Sequence, residues 1–550
     1  MGNSVRVFLW INFLVMLWFT YTAWIKDYSY NPNIVSEAII DKAPLVETNE
    51  SQPSLEANFD AVMPVIESTA ITGSVARLIQ VKTDVLDLSI DLDGGDLVRS
   101  DLLLYPINKN DPDNLIRLLD PSFENRWVFQ TGLRGLDQNA PEPNHLSAYQ
   151  SSDMFYELSP QEDEIVVSLM WESEDLSLRA FKTYTFRRGQ YSFDLRLHVE
   201  NISDQPWSGA PYAQQYRRHI PVSRSYTSVD SYSFKGPVIF DGESYDKIDP
   251  EDFIDEPLRE QIIGGWLANI QHHFVAAIIP PHLDQGSYQG AMRDDNYLLT
   301  IISPIQEAPA GGALDYNYKF FVGPKLQDQL SETGDSLELT VDYGMLTFLS
   351  QPLFWLLDKI HSYVGNWGWA IIILTFLIKL VFYKLTAASG RSMAKMRKIS
   401  PKMKAIQEKH KDDRQALSQA MMEIYKKEKI NPVAGCLPIL IQMPFFFAFY
   451  WVLIESVEIR QAAFMFWITD LSVKDPFFVL PILMGIAMLL QTRLNPAPPD
   501  PIQARVMQIM PIAFTGLFAF FPAGLVLYWL TNTILSILQQ WRINKVIAAE

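Results

Sequence analysis

Trp367 to Tyr383 reads WGWAIIILTFLIKLVFY. The stretch is apolar enough to enter a membrane, yet it carries Lys379. A helix of about 17–25 residues crosses a bilayer. A charge at the centre of such a helix costs roughly 2.5–3.5 kcal/mol on insertion scales and usually faces a bundle interior or water. Two readings follow. Lys379 lines a wet pocket inside the membrane, or its stem snorkels to the interface. Tyr383 is four residues away, roughly 6 Å of helical rise, so the stem has the reach to snorkel.

Downstream, residues 384–429 hold the densest positive charge in the chain. Arg391, Lys395, Arg397, Lys398, Lys402, Lys404, Lys409, Lys411 and Arg414 outnumber Glu408, Asp412 and Asp413. Met393, Met396, Ile399, Met403 and Ile406 recur at three- and four-residue steps, which reads as one helix. Ser400-Pro401 permits a break or restart, and Asp412-Asp413 reads as a turn and cap. A second helix over Ala416–Lys429 stops before Asn431-Pro432. The expectation is a helical hairpin over 388–430. A charged face is usually just solvated, but this one also suits an anionic leaflet or nucleic acid.

Four further apolar stretches follow: Cys436–Ile454, Phe477–Thr492, Val506–Phe521 and Gly524–Trp541. Several are short or carry polar residues, as spans do that tilt, thin the bilayer or pack inward. Gln442 lies inside the first of them. Tyr528, Asn532, Ser536 and Gln540 recur every fourth residue and form one polar stripe. Such a stripe either lines a pocket or glues helices together.

Upstream, residues 345–365 mix Leu346, Phe348, Leu353, Phe354, Leu356, Leu357 and Ile360 with Asp358, Lys359 and His361. This pattern predicts an amphipathic helix lying in the interface. A plain juxtamembrane connector is the alternative. Residues 75–344 read as an all-β sandwich. VLDLSIDL alternates before Asp93-Gly94-Gly95, and FKTYTFRRGQYSFDLRLHVEN alternates around Arg188-Gly189. EIVVSLMWE, HHFVAAIIP, NYLLTIIS, YNYKFFVG and LELTVDYG follow the same grammar. His272-His273, placed in a strand, would point to opposite faces and chelate poorly. Residues 26–74 have little periodicity and read as a tether. Val5–Trp24, with Arg6 at its start, is too long and bulky for a cleaved signal and reads as a membrane anchor over residues 1–25.

The net charge of −18 hides this segregation, because acid dominates residues 36–345 and base the hairpin. The lone Cys436 excludes an intramolecular disulfide and a cysteine metal cluster. No HExxH, GxSxG or Walker motif is present, and no cofactor is expected. Asn49 and Asn201 match the glycosylation pattern by chance. Basic loops close to spans stay cytoplasmic. Placing the hairpin inside puts the β domain outside, loop 455–476 outside, and Arg493–Arg505, Arg542 and Lys545 inside. Six spans with both ends cytoplasmic satisfy every segment.

VKTDVLDLSIDLDGGD, SMAKMRKISPKMKAIQEKHKDD, NPVAGCLPILIQMPFFFAFYWVL and FPAGLVLYWLTNTILSILQQ closely resemble, in order, segments of the YidC membrane protein insertases of Gram-negative bacteria. The resemblance covers essentially the whole chain. It implies a polytopic α-helical inner-membrane protein with a periplasmic β-supersandwich over 75–344. It also implies an insertase core over 366–545, in which five helices (about 367–383, 436–454, 477–492, 506–521 and 524–541) enclose a hydrophilic groove. In the family that groove opens to cytoplasm and lipid and is closed towards the periplasm. The family arginine of the second span falls on Lys379, a departure. Thr375, Gln442, Met443, Phe446 and Tyr528 match the family lining, and Trp529 stands where relatives have tyrosine; Asn532 and Ser536, from the polar stripe, are candidates for the same lining. Arginine stays charged whatever its surroundings, whereas buried lysine can lose its proton and offers no bidentate fork.

The resemblance further implies a non-enzymatic insertase and chaperone. Its expected partners are nascent membrane proteins, the Sec translocon, the ribosome and the signal recognition particle pathway, and the bilayer, but not DNA. The basic hairpin is the expected docking element. Two rival classes remain at this stage. A solute transporter would use Lys379 as a proton or anion site, but no repeated halves are visible. A membrane-anchored sugar-binding protein or isomerase would use the sandwich, which in the family looks like sugar mutarotases, but fold does not give function.

Overall fold

The structure, a computed structural model, describes residues 77–137, 140–221, 233–410, 414–428, 437–494 and 501–549. The expected anchor, tether, Asn49, Lys411, Asp412-Asp413, Asn431-Pro432 and Cys436 lie outside the described residues.

The alternating stretches form strands as their period dictates. Leu178–Arg187 and Ser192–Asn201 pair antiparallel, from Phe193 opposite Phe186 to Asn201 opposite Leu178. Each buries every second residue. The turn between them holds Gly189 at φ 71°, which glycine adopts without steric cost. Gly94 and Gly95 turn the chain between Leu86–Asp91 and Asp96–Asn108 in the same way, at φ 100° and 65°. The described strands assemble into an 11-stranded and a 9-stranded sheet. The two face each other across an aromatic core in which Phe129 of one sheet meets Phe320 of the other at 5.0 Å. Lys182 crosses between the sheets. Its buried ammonium donates to the carbonyls of Gly94 and Thr131 and lies 3.5 Å from Asp96.

Two expectations for this domain fail. LELTVDYG is not a strand: Leu337–Thr340 is a 3-10 turn. Its apolar residues are spaced to bury Leu337 and Val341 against the core, four apart, rather than to alternate in a sheet. His272 and His273 are not on opposite strand faces. They form the turn between Trp266–Ile270 and Phe274–Ile279, and their rings stack at 3.8 Å. Asn201 is buried and donates to the carbonyls of Gln205 and Ala308, which accounts for it without a glycan.

The helical region begins with α1, Thr347–Val364, an amphipathic helix with Pro352 in its first turns. Asn366 caps α2, Trp367–Val381, by accepting from the Trp369 N–H. At Phe382 the chain bends by 66° into α3, Tyr383–Lys409. α3 runs unbroken through Pro401, so the permitted restart does not occur. α4, Arg414–Lys427, returns alongside it, with Ile399 and Met403 packed on Met421, Ile424 and Tyr425. There follow α5, Leu437–Glu455; α6, Val479–Leu494; α7, Pro501–Phe518; and α8, Ala523–Ala549.

No single described helix is long and apolar enough to cross a membrane; the bent pair Trp367–Val381 and Tyr383–Ser392 passes together. The 15 residues of α2 rise about 22 Å, against a hydrocarbon core of about 30 Å. α6 and α7 pack closely because Gly485 lets Thr515 approach. A Cβ at Gly485 would clash with the Thr515 hydroxyl.

Candidate functional site

α2 has two unlike faces. Phe376, Leu380 and Val381 are exposed, at 51%, 59% and 77%. Thr375 and Lys379, one turn apart, are buried at 1% and 9% exposure. The lysine therefore projects away from the exposed apolar face and towards α8. Its Nζ donates to Ser536 Oγ at 2.8 Å. The serine hydroxyl in turn donates to the Asn532 carbonyl at 2.7 Å, one turn back along α8. The hydrogen bonds run in one direction, from ammonium to hydroxyl to carbonyl, and leave no donor facing a donor. Among the described residues no carboxylate forms an ion pair with Lys379. Thr375 spends its own hydroxyl on the Ile371 carbonyl, 2.6 Å away.

The charge sits near the C-terminal end of α2, three residues before the bend into basic α3. Partial negative charge at a helix C-terminus favours a cation there.

Further along α8 the wall turns aromatic. Tyr528 packs on Phe449 at 4.7 Å and on Phe446 at 6.3 Å. Trp529 meets Phe446 edge-on at 4.8 Å and lies against Phe518 at 5.4 Å. Tyr528 and Ser536 stand two turns apart on one helical face, about 12 Å. α8 thus joins a polar end to an aromatic end. Gln442 and Met443 are half-buried one turn before Phe446 on α5.

The structure brings Lys379, Asn532 and Ser536 into one hydrogen-bonded chain, and Phe446, Tyr528 and Trp529 into one aromatic cluster. Phe449, Phe514 and Phe518 complete the aromatic wall and were not singled out from sequence. Phe514 and Phe518 are four apart on α7, a spacing that marks one face but does not say which neighbour it meets. Thr533 of the same helix is buried too, and the four-residue stripe does not include it.

On the hairpin, Arg391, Lys395, Lys398, Lys402 and Lys409 are exposed. Lys402 pairs with Glu428 at 2.8 Å. Arg397, Lys404 and Arg414 have described backbone only.

Residues 359–550 match the model of the 60Kd inner membrane protein family, and residues 78–356 match that of the YidC periplasmic domain. The chain is 45% identical over 561 aligned residues to the membrane protein insertase YidC of Thioalkalivibrio sulfidiphilus, covering 99% of this chain and 98% of the relative. It is 43% identical to that of Nitrosococcus oceani, with 100% of both chains covered. A crystal structure of an active YidC insertase with the first transmembrane domain resolved is 19% identical, covers 85% of this chain and 92% of that one, and superposes with a TM-score of 0.38. Identity of this level across the full length, with both family models matched in order, means that this chain belongs to the YidC family of membrane protein insertases.

Proposed function

We propose that this protein inserts nascent membrane proteins into the bacterial inner membrane and helps them fold, alone or with the Sec translocon. The client's short outer segment enters from the cytoplasm between α2, α5 and α8. In bare hydrocarbon each unsatisfied polar group of that segment costs several kcal/mol. The polar stripe of α8 lowers this cost, and Lys379 attracts acidic residues. Short helices thin the bilayer and shorten the crossing. The client's apolar span then leaves past the exposed apolar face of α2 into lipid, which is downhill. The membrane potential assists an acidic segment by roughly 2.3 kcal/mol per charge per 100 mV.

The reading includes six spans with both ends cytoplasmic, the first taken from sequence alone, and a periplasmic β-supersandwich. It assigns the α3–α4 hairpin to docking of the ribosome, signal recognition particle components or client. The one observation that carries it is the buried ammonium of Lys379, held by a neutral hydroxyl rather than a carboxylate. A charge kept that way remains able to bind an incoming acid.

The test is photocrosslinking from Thr375, Gln442 and Tyr528 to a stalled nascent chain. Crosslinks from all three, lost when the client is released, support the route. Absence of crosslinks from all three while the nascent chain is still stalled contradicts it.

A further inference from the structure

The helix that carries Gln442, Met443 and Phe446 ends inside the β domain. α5 finishes at Glu455, which is 2% exposed. The last four carbonyls of a helix lack intrahelical partners, and their end carries partial negative charge. Two consecutive histidines of the β domain meet these carbonyls. His272 Nε2 lies 3.0 Å from the Ile454 oxygen, and His273 Nδ1 lies 3.4 Å from the Glu455 oxygen. A carbonyl only accepts, so each ring presents an N–H there. The rings stack at 3.8 Å, and both residues are buried.

The Glu455 carboxylate is held by the same domain. Ser233 donates to it at 2.8 Å, and His272 Nε2 lies 3.8 Å away. The segment beyond is pinned as well. Tyr343 and Ser456 share a hydrogen bond at 3.0 Å, and Lys109 donates to the carbonyls of Gln461 and Thr469 at 2.8 and 2.7 Å.

A turn between two buried strands has no local need for histidine. Two imidazoles there make sense as caps for another element. From Ile454 back to Phe446 is eight residues, about 12 Å of rigid helix. A shift of the outer end of α5 therefore moves the groove wall it carries.

We propose that His272 and His273 are positioning residues for insertion: through them the β domain clamps the outer end of α5 and fixes how far the Gln442–Phe446 wall stands from Lys379 and Ser536. This inference rests on the reading that α5 lines the client's route.

The experiment uses the full chain in lipid vesicles and two variant pairs. His272→Ala with His273→Ala removes both caps. His272→Gln with His273→Asn keeps an amide N–H near each lost ring nitrogen. The readouts are amide exchange over residues 446–456 without client, insertion of a single-span client, and tryptophan fluorescence of the β domain. The alanine pair is expected to speed exchange at the end of α5 by about tenfold, as loss of net hydrogen bonds of this kind predicts. Insertion falls several-fold, β-domain fluorescence is unchanged, and the glutamine–asparagine pair restores both rates. Unchanged exchange in the alanine pair overturns the proposal, as does a glutamine–asparagine pair that inserts no better than alanine. If the alanine pair does not accumulate, His273→Ala alone replaces it under the same criteria. Failure of the groove reading shows separately, as absence of client crosslinks from Gln442 in the unaltered chain.

Discussion

Lys379 and Ser536, 157 positions apart, are joined by a hydrogen bond in which the ammonium donates and the hydroxyl accepts. The serine proton is already committed to the Asn532 carbonyl, so only the oxygen's lone pairs face the lysine. The serine thus holds the charge in place without neutralising it.

Ser536→Ala removes that acceptor and leaves the helix intact. The lysine stem is then free to swing towards the cytoplasmic interface. Insertion of a client with an acidic outer tail is expected to slow by about tenfold, the lower range for a hydrogen bond to a charged group. Ser536→Thr keeps the hydroxyl and is expected to insert at close to the unaltered rate. Vesicle insertion assays with the two variants side by side make the measurement.

The α6–α7 contact gives a stability prediction. At Gly485 a Cβ clashes with the Thr515 hydroxyl, whereas at Gly516 on the same helix pair it meets nothing within 4 Å. Gly485→Ala is expected to destabilise the helical region by about 1–3 kcal/mol through overpacking. Gly516→Ala is expected to be neutral or stabilising by up to about 1 kcal/mol through helix propensity. Thermal unfolding in detergent separates the two.

The β domain carries an acid-sensitive group. The His145 backbone N–H donates to the Tyr212 hydroxyl at 3.0 Å, and the ring Nδ1 lies 2.6 Å from the same oxygen. Tyr212 keeps its proton because burial raises its pKa, so its hydroxyl donates to Nδ1. Protonating Nδ1 breaks that bond. Burial, aided by the Lys182 charge, accordingly lowers the His145 pKa to about 4 from 6.5. Between these values the unfolded chain binds more protons than the folded one, so stability falls as pH drops from about 6.5 to 4. Denaturant unfolding followed by β-domain fluorescence is expected to show this loss, and His145→Asn to flatten it.

Much of this was legible because local pattern and tertiary environment agree. The alternation in 178–201 meets a sheet buried on one face, so every second side chain is inside. The four-residue polar stripe placed Asn532 and Ser536 on one face before any neighbour was known. Misreadings arose where a distant element decides the conformation. His272-His273 looks like part of an apolar strand until the end of α5 is set against it, and only then is a turn with stacked rings favoured. LELTVDYG has strand composition, but its burial follows a helical step. Phe514 and Phe518 gave only a face, not a partner.

The central claim is that the charge at position 379 handles acidic client segments at the groove. It is tested most directly by reconstituting the Lys379→Arg, Lys379→Ala and Lys379→Glu proteins in vesicles with a single-span client whose outer tail is acidic. The account predicts insertion by Lys379→Arg close to the unaltered protein, a strong loss with Lys379→Ala and a deeper one with Lys379→Glu. Equal insertion by all three variants would contradict it.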